Sequence, residues 1–198
     1  MLILLLTMNP YMFIVNDEKA RFLLVFNVFM LTVFFPLFSI FLMKMLDFIK
    51  SYKMEDKTER IGPLIATGIF YLWMFVNFKD NTTISVSFSS FVLGSTIGLF
   101  MALMLNSFTK ISLHTIAAGG LVSGLLFIKY LYSYETFFVN LPFGSFQVSS
   151  TFVIIIAMII AGLVGTSRLM LKAHDEFDVY GGYIVGIFSM IVAFRIMG

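Results

Sequence analysis

Long apolar stretches separated by short polar connections make up most of this 198-residue chain. Six stretches approach or exceed the roughly 20 apolar residues that a helix needs to cross the hydrocarbon core of a bilayer. They cover residues 22–43, 61–78, 84–105, 115–134, 148–166 and 179–197. Transmembrane β-strands are about half as long and alternate in polarity, whereas these stretches do neither. The pattern therefore predicts an all-α polytopic bundle of six long transmembrane helices.

The N-terminal residues 1–15 form a further hydrophobic segment, which is shorter and is interrupted by Asn9 and Pro10. This segment fits a short span, a re-entrant piece or the remnant of a longer span. Because it has neither a basic region at its start nor a small-residue cleavage site, we expect it to be retained rather than removed as a signal peptide. No linker or internal repeat divides the chain, so we expect residues 1–198 to form a single domain.

Composition agrees with a membrane protein and excludes several kinds of site. Hydrophobic residues make up 60% and charged residues 12% of the chain, and a soluble domain carries about twice that charge. The chain has no cysteine, which excludes disulfides, thiolate metal ligands and thiol nucleophiles. A net charge of +2 is too small to suggest nucleic acid as a partner. We expect membrane lipids as partners, and the oligomeric state stays open.

The connections place both histidines on one face of the membrane. Residues 47–60, 107–114 and 167–178 are separated from one another by two crossings, so they emerge on the same side. These connections hold His114 and His174, and the connections of the opposite face hold no histidine. We therefore expect a functional site on this face.

The last of these connections has the spacing of a phosphatase motif. The motif residues are Ser167, Arg168, His174 and Asp178, with five residues before the histidine and three after it. This spacing resembles the third signature of the type 2 phosphatidic acid phosphatase (PAP2) superfamily, which includes lipid phosphatases, some soluble acid phosphatases and vanadium haloperoxidases. With four fixed positions, each matched about one time in twenty by background usage, a fortuitous match is uncommon.

The other two signatures of the superfamily have looser matches, in the order of the family. Lys53 and Arg60 have the spacing of the first signature, but its proline is displaced by two positions. In the second signature, Pro-Ser-Gly-His, the chain keeps Ser112 and His114, and Leu113 replaces the glycine. The resemblance covers residues 50–198 and is greatest to short, divergent bacterial members.

The resemblance implies phosphate-ester hydrolysis without a metal or another cofactor. His174 would be the nucleophile that forms a phosphohistidine, Asp178 would orient its imidazole, and His114 would be the general acid. Phosphate binding would fall to Arg168, Arg60, Lys53, Ser112 and Ser167. Arginine forks match phosphate oxygens in a bidentate way. Ser112 would also cap a helix that starts near Thr115, where free backbone N–H groups favour an anion.

Alternative roles for these residues stay open. His174 and Asp178 could form a structural hydrogen-bonded pair or half of a metal site, although no third ligand has a matching spacing. Lys57, Lys110 and Lys172 fit interfacial cations that anchor helix ends. The chain could also be a non-catalytic lipid-binding relative, or a small transporter or flippase. Transport usually needs ionisable residues near the bilayer centre, and the six stretches contain no Asp or Glu.

These observations predict an integral-membrane lipid phosphatase that acts on a lipid phosphate or diphosphate headgroup. The family resemblance implies a bacterial inner membrane and slightly favours a periplasmic active face. Lysine and arginine do not decide the orientation. Their excess on the motif face disappears when Lys53, Arg60 and Arg168 are set aside as phosphate ligands.

Overall fold

Six long apolar helical segments dominate the part of the chain that the structure, a computed structural model, describes. The described residues are 1–8, 13, 17–52, 54, 56–132, 135–141 and 144–198. The segments able to cross a membrane are Glu18–Met45, Thr58–Lys79, Val86–Leu105, Leu113–Tyr132, Ser150–Met170 and Glu176–Met197. They confirm the predicted helical transmembrane bundle, with boundaries within a few residues of those expected.

The first long segment is a composite of three helical pieces. It consists of α2 (Glu18–Phe29), a π-helical turn (Met30–Phe34) and α3 (Phe35–Met45). Pro36 lies in the first turn of α3, where it has no N–H to give to the preceding turn. A π-helical turn lets a helix continue past a residue that cannot donate its backbone hydrogen bond.

The remaining long helices form the packed part of the bundle. They are α4 (Ile61–Lys79), α5 (Val86–Leu105), α6 (Leu113–Tyr132), α7 (Ser150–Met170) and α8 (Glu176–Met197). Glycines let α6 and α8 approach closely: a Cβ added at Gly182 would lie 2.8 Å from the Ser112 carbonyl oxygen, and one at Gly119 would lie 2.7 Å from that of Tyr183. Small residues at a helix interface allow this backbone contact.

The connection between α6 and α7 adds a small sheet to the predicted helical bundle. It forms an antiparallel hairpin of β1 (Thr136–Leu141) and β2 (Gly144–Ser149). Val139 pairs with Phe146, and Phe137 pairs with Val148. Such β-branched and aromatic pairs stabilise adjacent strands. The fold is therefore a helical bundle with a small sheet at the end opposite the histidines.

The N-terminal segment contributes a short helix, α1 (Leu2–Met8). Seven residues rise only about 10 Å, so α1 is too short to cross the membrane. Leu5 is fully buried in an apolar cluster with Phe78, Ile128 and Phe194, which lie at the ends of long helices away from the histidines. The predicted interruption at Asn9 and Pro10 lies outside the described residues.

The three connections that hold the motifs meet at one end of the bundle. The Lys57 ammonium donates to the Ser107 carbonyl at 3.0 Å, and the Asn106 amide donates to the Lys57 carbonyl at 2.6 Å. The Ser112 N–H donates to the Asp178 carbonyl at 3.3 Å. The common face inferred from the number of crossings is therefore the arrangement found.

Candidate active site

His174 and Asp178 form a contact at the start of α8. Asp175 is the N-cap of this helix and accepts the Asp178 N–H at 2.8 Å. His174 precedes the cap, and its Nδ1 lies 3.4 Å from Asp178 Oδ2, with side chains that are 5% and 11% exposed. The turn before the helix therefore brings the two side chains together.

The contact between these two side chains engages one nitrogen of the imidazole at a long distance. A 3.4 Å separation is long for an N–H···O bond, and catalytic hydrogen bonds are often long before substrate binds. With Nδ1 directed at the carboxylate of Asp178, the Nε2 of His174 is the ring nitrogen left to react. Because the imidazole is nearly buried, a reaction there would be shielded from bulk water.

His114 belongs to the first turn of α6 rather than to the preceding loop. Its side chain is exposed, and its imidazole lies within electrostatic range of Arg168, His174 and Arg60. Four of the residues predicted to form the site, from three separate connections, are thus brought together. The two histidines differ in environment, one nearly buried beside a carboxylate and the other open to solvent.

Arg168 lies in the last turn of α7, which extends further than the sequence predicted. Its Nε is buried and makes no hydrogen bond to any residue that the structure describes. Burying such a donor without a partner is costly, and native proteins seldom leave one unpaired without a functional reason. The geometry therefore marks Arg168 as a residue prepared for an acceptor that the protein alone does not supply.

Arg60 approaches the same cluster from the first connection. It ends a 3-10 turn (Thr58–Arg60) that leads into α4, and its Nε donates to the Met54 carbonyl at 3.3 Å. The Asp178 carboxylate lies within electrostatic range of its guanidinium. At the start of the turn, the Thr58 N–H donates to Asp56 at 2.9 Å, which lowers the pKa of that carboxyl.

The sequence predicted that Ser112 would cap α6, but its side chain does not do so. Its backbone performs part of that role, since its carbonyl accepts the Ile116 N–H at 3.1 Å. Its hydroxyl is fully buried and has no hydrogen-bond partner within the described part of the chain. It joins the Arg168 Nε as a second unsatisfied polar atom among the residues predicted to bind phosphate.

The two remaining residues predicted to bind phosphate contribute less. The Ser167 hydroxyl donates to the Val164 carbonyl of its own helix at 2.7 Å, so its proton is not directed at a ligand. Lys53 lies outside the described residues. Among the described residues, no group of three or more His, Cys, Asp or Glu side chains could hold a metal ion.

Two residues that organise the site were missed from the sequence. Asp175 resembles a solvated loop residue, although an aspartate three residues before another acidic residue is a recognisable helix-start signal. Asn106 is 3% exposed and links the first and second connections. Its partner is the backbone of a residue 49 positions away, and sequence patterns give no sign of such a contact.

Comparison with known proteins adds no family assignment. No family model matches the chain, and no curated protein or solved structure matches it. The PAP2 resemblance therefore rests on the motif residues of the sequence alone.

Proposed function

We propose that this protein is an integral-membrane lipid phosphatase, which cleaves a lipid phosphate or diphosphate headgroup through a phosphohistidine. The observation that carries the proposal is the grouping of His174 and its partner Asp178 with His114, Arg60 and Arg168 at one end of a membrane bundle. The unpartnered Arg168 Nε supports it, because this buried donor lacks an acceptor that a phosphate would supply.

In the proposed first step, the Nε2 of His174 bonds to phosphorus as the phosphorus–oxygen bond to the lipid breaks. The leaving oxygen takes a proton from the protonated imidazole of His114. Asp178 holds the Nδ1–H of His174 and balances the positive charge that develops on its ring. In the second step, water attacks phosphorus and gives a proton back to His114, while the nitrogen–phosphorus bond breaks and phosphate leaves.

The two arginines would stabilise the transferred group. Phosphoryl transfer depends chiefly on positioning and on positive charge around the equatorial oxygens. Arg168 and Arg60 supply that charge from two different elements, the end of α7 and the start of α4. No metal is needed for this chemistry, because histidines act as nucleophile and acid and the cations come from the protein.

The position of the cluster supports a lipid substrate. The residues stand at the end of membrane-spanning helices, so a headgroup can reach them while its chain stays in the bilayer. Isoprenyl diphosphate, phosphatidylglycerol phosphate and phosphatidate are the candidate substrates. The proposal includes a bacterial inner membrane, with a periplasmic active face preferred on the family resemblance.

The deciding experiment measures phosphate release by the purified protein from these three lipids in the presence of a strong chelator. We expect release by the wild type and none by His174→Ala. Acid-quenched samples with labelled substrate should contain phosphohistidine. Loss of activity on chelation, with rescue by a divalent ion, would instead indicate a metal site at His174 and Asp178. Absence of release from every lipid would favour a non-catalytic lipid-binding protein.

A further inference from the structure

An apolar cavity of about 330 Å³ lies inside the bundle, beneath the histidine cluster. Its walls come from α4, α5, α6 and α8. This volume falls at the lower end of the roughly 300–1,000 Å³ typical of small-molecule sites. The cavity is partly open, so it is a cleft between helices that a ligand could enter.

The cavity contains a few hydroxyl-bearing residues, but most of their hydroxyls are bonded within their own helices. Its hydroxyl-bearing residues include Thr67, Ser95 and Ser189, and each of them donates to a carbonyl of its own helix. No Asp, Glu, Lys, Arg or His is among its described lining residues. The Tyr71 hydroxyl is the exception among the lining hydroxyls, since it has no hydrogen bond among the described residues. The rest of the lining is hydrocarbon and hydroxyls bonded within their own helices, which suits a mainly apolar occupant better than an ion.

The length of the cavity along α5 is close to the thickness of one leaflet of a bilayer. Along α5 it extends from Ala102 to Phe91, 11 residues that rise about 16 Å. Half of the hydrocarbon core is about 15 Å thick. Ala102 is near the histidine end of α5, so the cavity begins close to the site. It ends at Leu121, close to the midpoint of α6, and on α5 it passes the midpoint to reach Phe91. It is also reachable from outside, because the lining residue Ala117 is exposed.

Leu113 connects this cavity to the candidate active site. It lines the cavity and directly precedes His114 at the start of α6. Resting on the proposed function for the identity of the headgroup, we propose that the cavity holds one hydrocarbon chain of the lipid substrate. Leu113, which replaces a glycine of the family motif, then forms the apolar boundary between that chain and the phosphate-binding residues.

The hydrocarbon chain of the lipid gains little transfer free energy when it moves from the bilayer into the cavity, since both are apolar. Its role is to orient the headgroup toward His174 and the arginines. Positioning of this kind has large effects on rate, because small displacements of reacting atoms are costly. The proposal thus predicts selectivity for chain length rather than tighter binding alone.

The test compares Ala117→Phe, which places a ring at the cavity entrance, with Gly162→Phe. Gly162 is a matched control on α7, because a Cβ added there meets nothing within 4 Å. The first readout is photolabelling by dodecyl phosphate that carries a diazirine at its chain end, with the labelled peptides mapped. The second is the ratio of phosphate release from dodecyl phosphate to that from butyl phosphate.

We expect wild type and Gly162→Phe to be labelled within residues 91–102 and 113–121, and Ala117→Phe to lose that label. The preference for dodecyl over butyl phosphate should fall on the order of tenfold in Ala117→Phe alone. Label spread over α2, α3 and α7, unchanged by Ala117→Phe, would overturn the proposal. Specific labelling by a protein that releases no phosphate would refute the phosphatase function and leave the chain site standing.

Discussion

The two ends of the bundle differ in how completely their polar groups are hydrogen-bonded. At the histidine end, the Arg168 Nε and the Ser112 hydroxyl are buried without partners. At the opposite end, Lys129 donates to the Thr151 hydroxyl, and the Ser149 hydroxyl accepts the Thr151 N–H at 3.2 Å. The Ser150 hydroxyl is unpartnered there, but it is neutral and costs less to leave unpaired than a guanidinium does.

The two ends of the bundle also differ in how tightly their apolar side chains pack. The opposite end is closed by α1 and the hairpin over a cluster that includes Leu5, Phe13 and Phe88. The histidine end carries loops above a cavity. One end is therefore built for stability, and the other keeps unsatisfied groups and empty volume where a ligand would complete them.

The largest expected effect is that of His174→Ala, which should reduce phosphate release below detection. His174 is the histidine of the described cluster that contacts a carboxylate, Asp178, which would orient it for attack. Lys129→Ala, at the opposite end, is the control and should retain wild-type kcat and KM. The measurement is initial-rate phosphate release in detergent. Substantial turnover by His174→Ala would assign the nucleophile elsewhere and remove the functional distinction between the ends.

His114→Ala should have the next largest effect, and that effect should depend on the leaving group. Proton donation is typically worth about 10²–10⁴-fold, and a good leaving group needs little of it. Release from an alkyl lipid phosphate should fall by that range, and release from p-nitrophenyl phosphate by much less. This holds where the first chemical step limits both rates. Equal losses on both substrates would indicate a structural role for His114.

Arg168→Lys should lower kcat/KM by about 10- to 100-fold, because a point charge cannot reproduce a bidentate fork. The unpartnered Nε makes Arg168 the sharper test of the two arginines, since the Nε of Arg60 already donates to a backbone carbonyl. Arg60→Lys should therefore cost less. The comparison uses steady-state kinetics of both variants on one lipid phosphate. A larger loss at Arg60 would contradict this order.

Much of the fold, and several residues of the candidate site, could be predicted from the sequence for identifiable reasons. Apolar stretches of membrane-crossing length give the helices directly, and the number of crossings between connections gives the shared face. The spacing of the motif singled out His174 and Asp178, although their contact arises in a turn before α8. These features depend on local composition and on order along the chain.

The features missed depend on contacts between distant parts of the chain. The Ser112 backbone is in contact with α8, which lies far from it in the sequence, and the cavity results from how four helices pack. The hairpin falls in a region predicted to be a polar connection, because its apolar residues form only short runs. The helix α7 continues through Ser167 and Arg168, beyond its predicted end, since polar side chains are common in the last turn of a helix.

The smallest expected effect on catalysis comes from the end away from the histidines. Leu5→Ala removes a fully buried side chain from the cluster beneath α1, and such truncations typically cost about 2–5 kcal/mol in well-packed cores. Ile3→Ala, on the same helix but at a side chain that is 65% exposed, is the matched control. We expect Leu5→Ala to lower the thermal unfolding midpoint and Ile3→Ala to leave it nearly unchanged. Both should retain wild-type kcat/KM below that midpoint, because α1 contacts none of the described residues proposed to bind phosphate. A loss of kcat/KM in Leu5→Ala as large as that of Arg168→Lys would show that the two ends are coupled, and the division between a stabilising end and a ligand-binding end would be wrong.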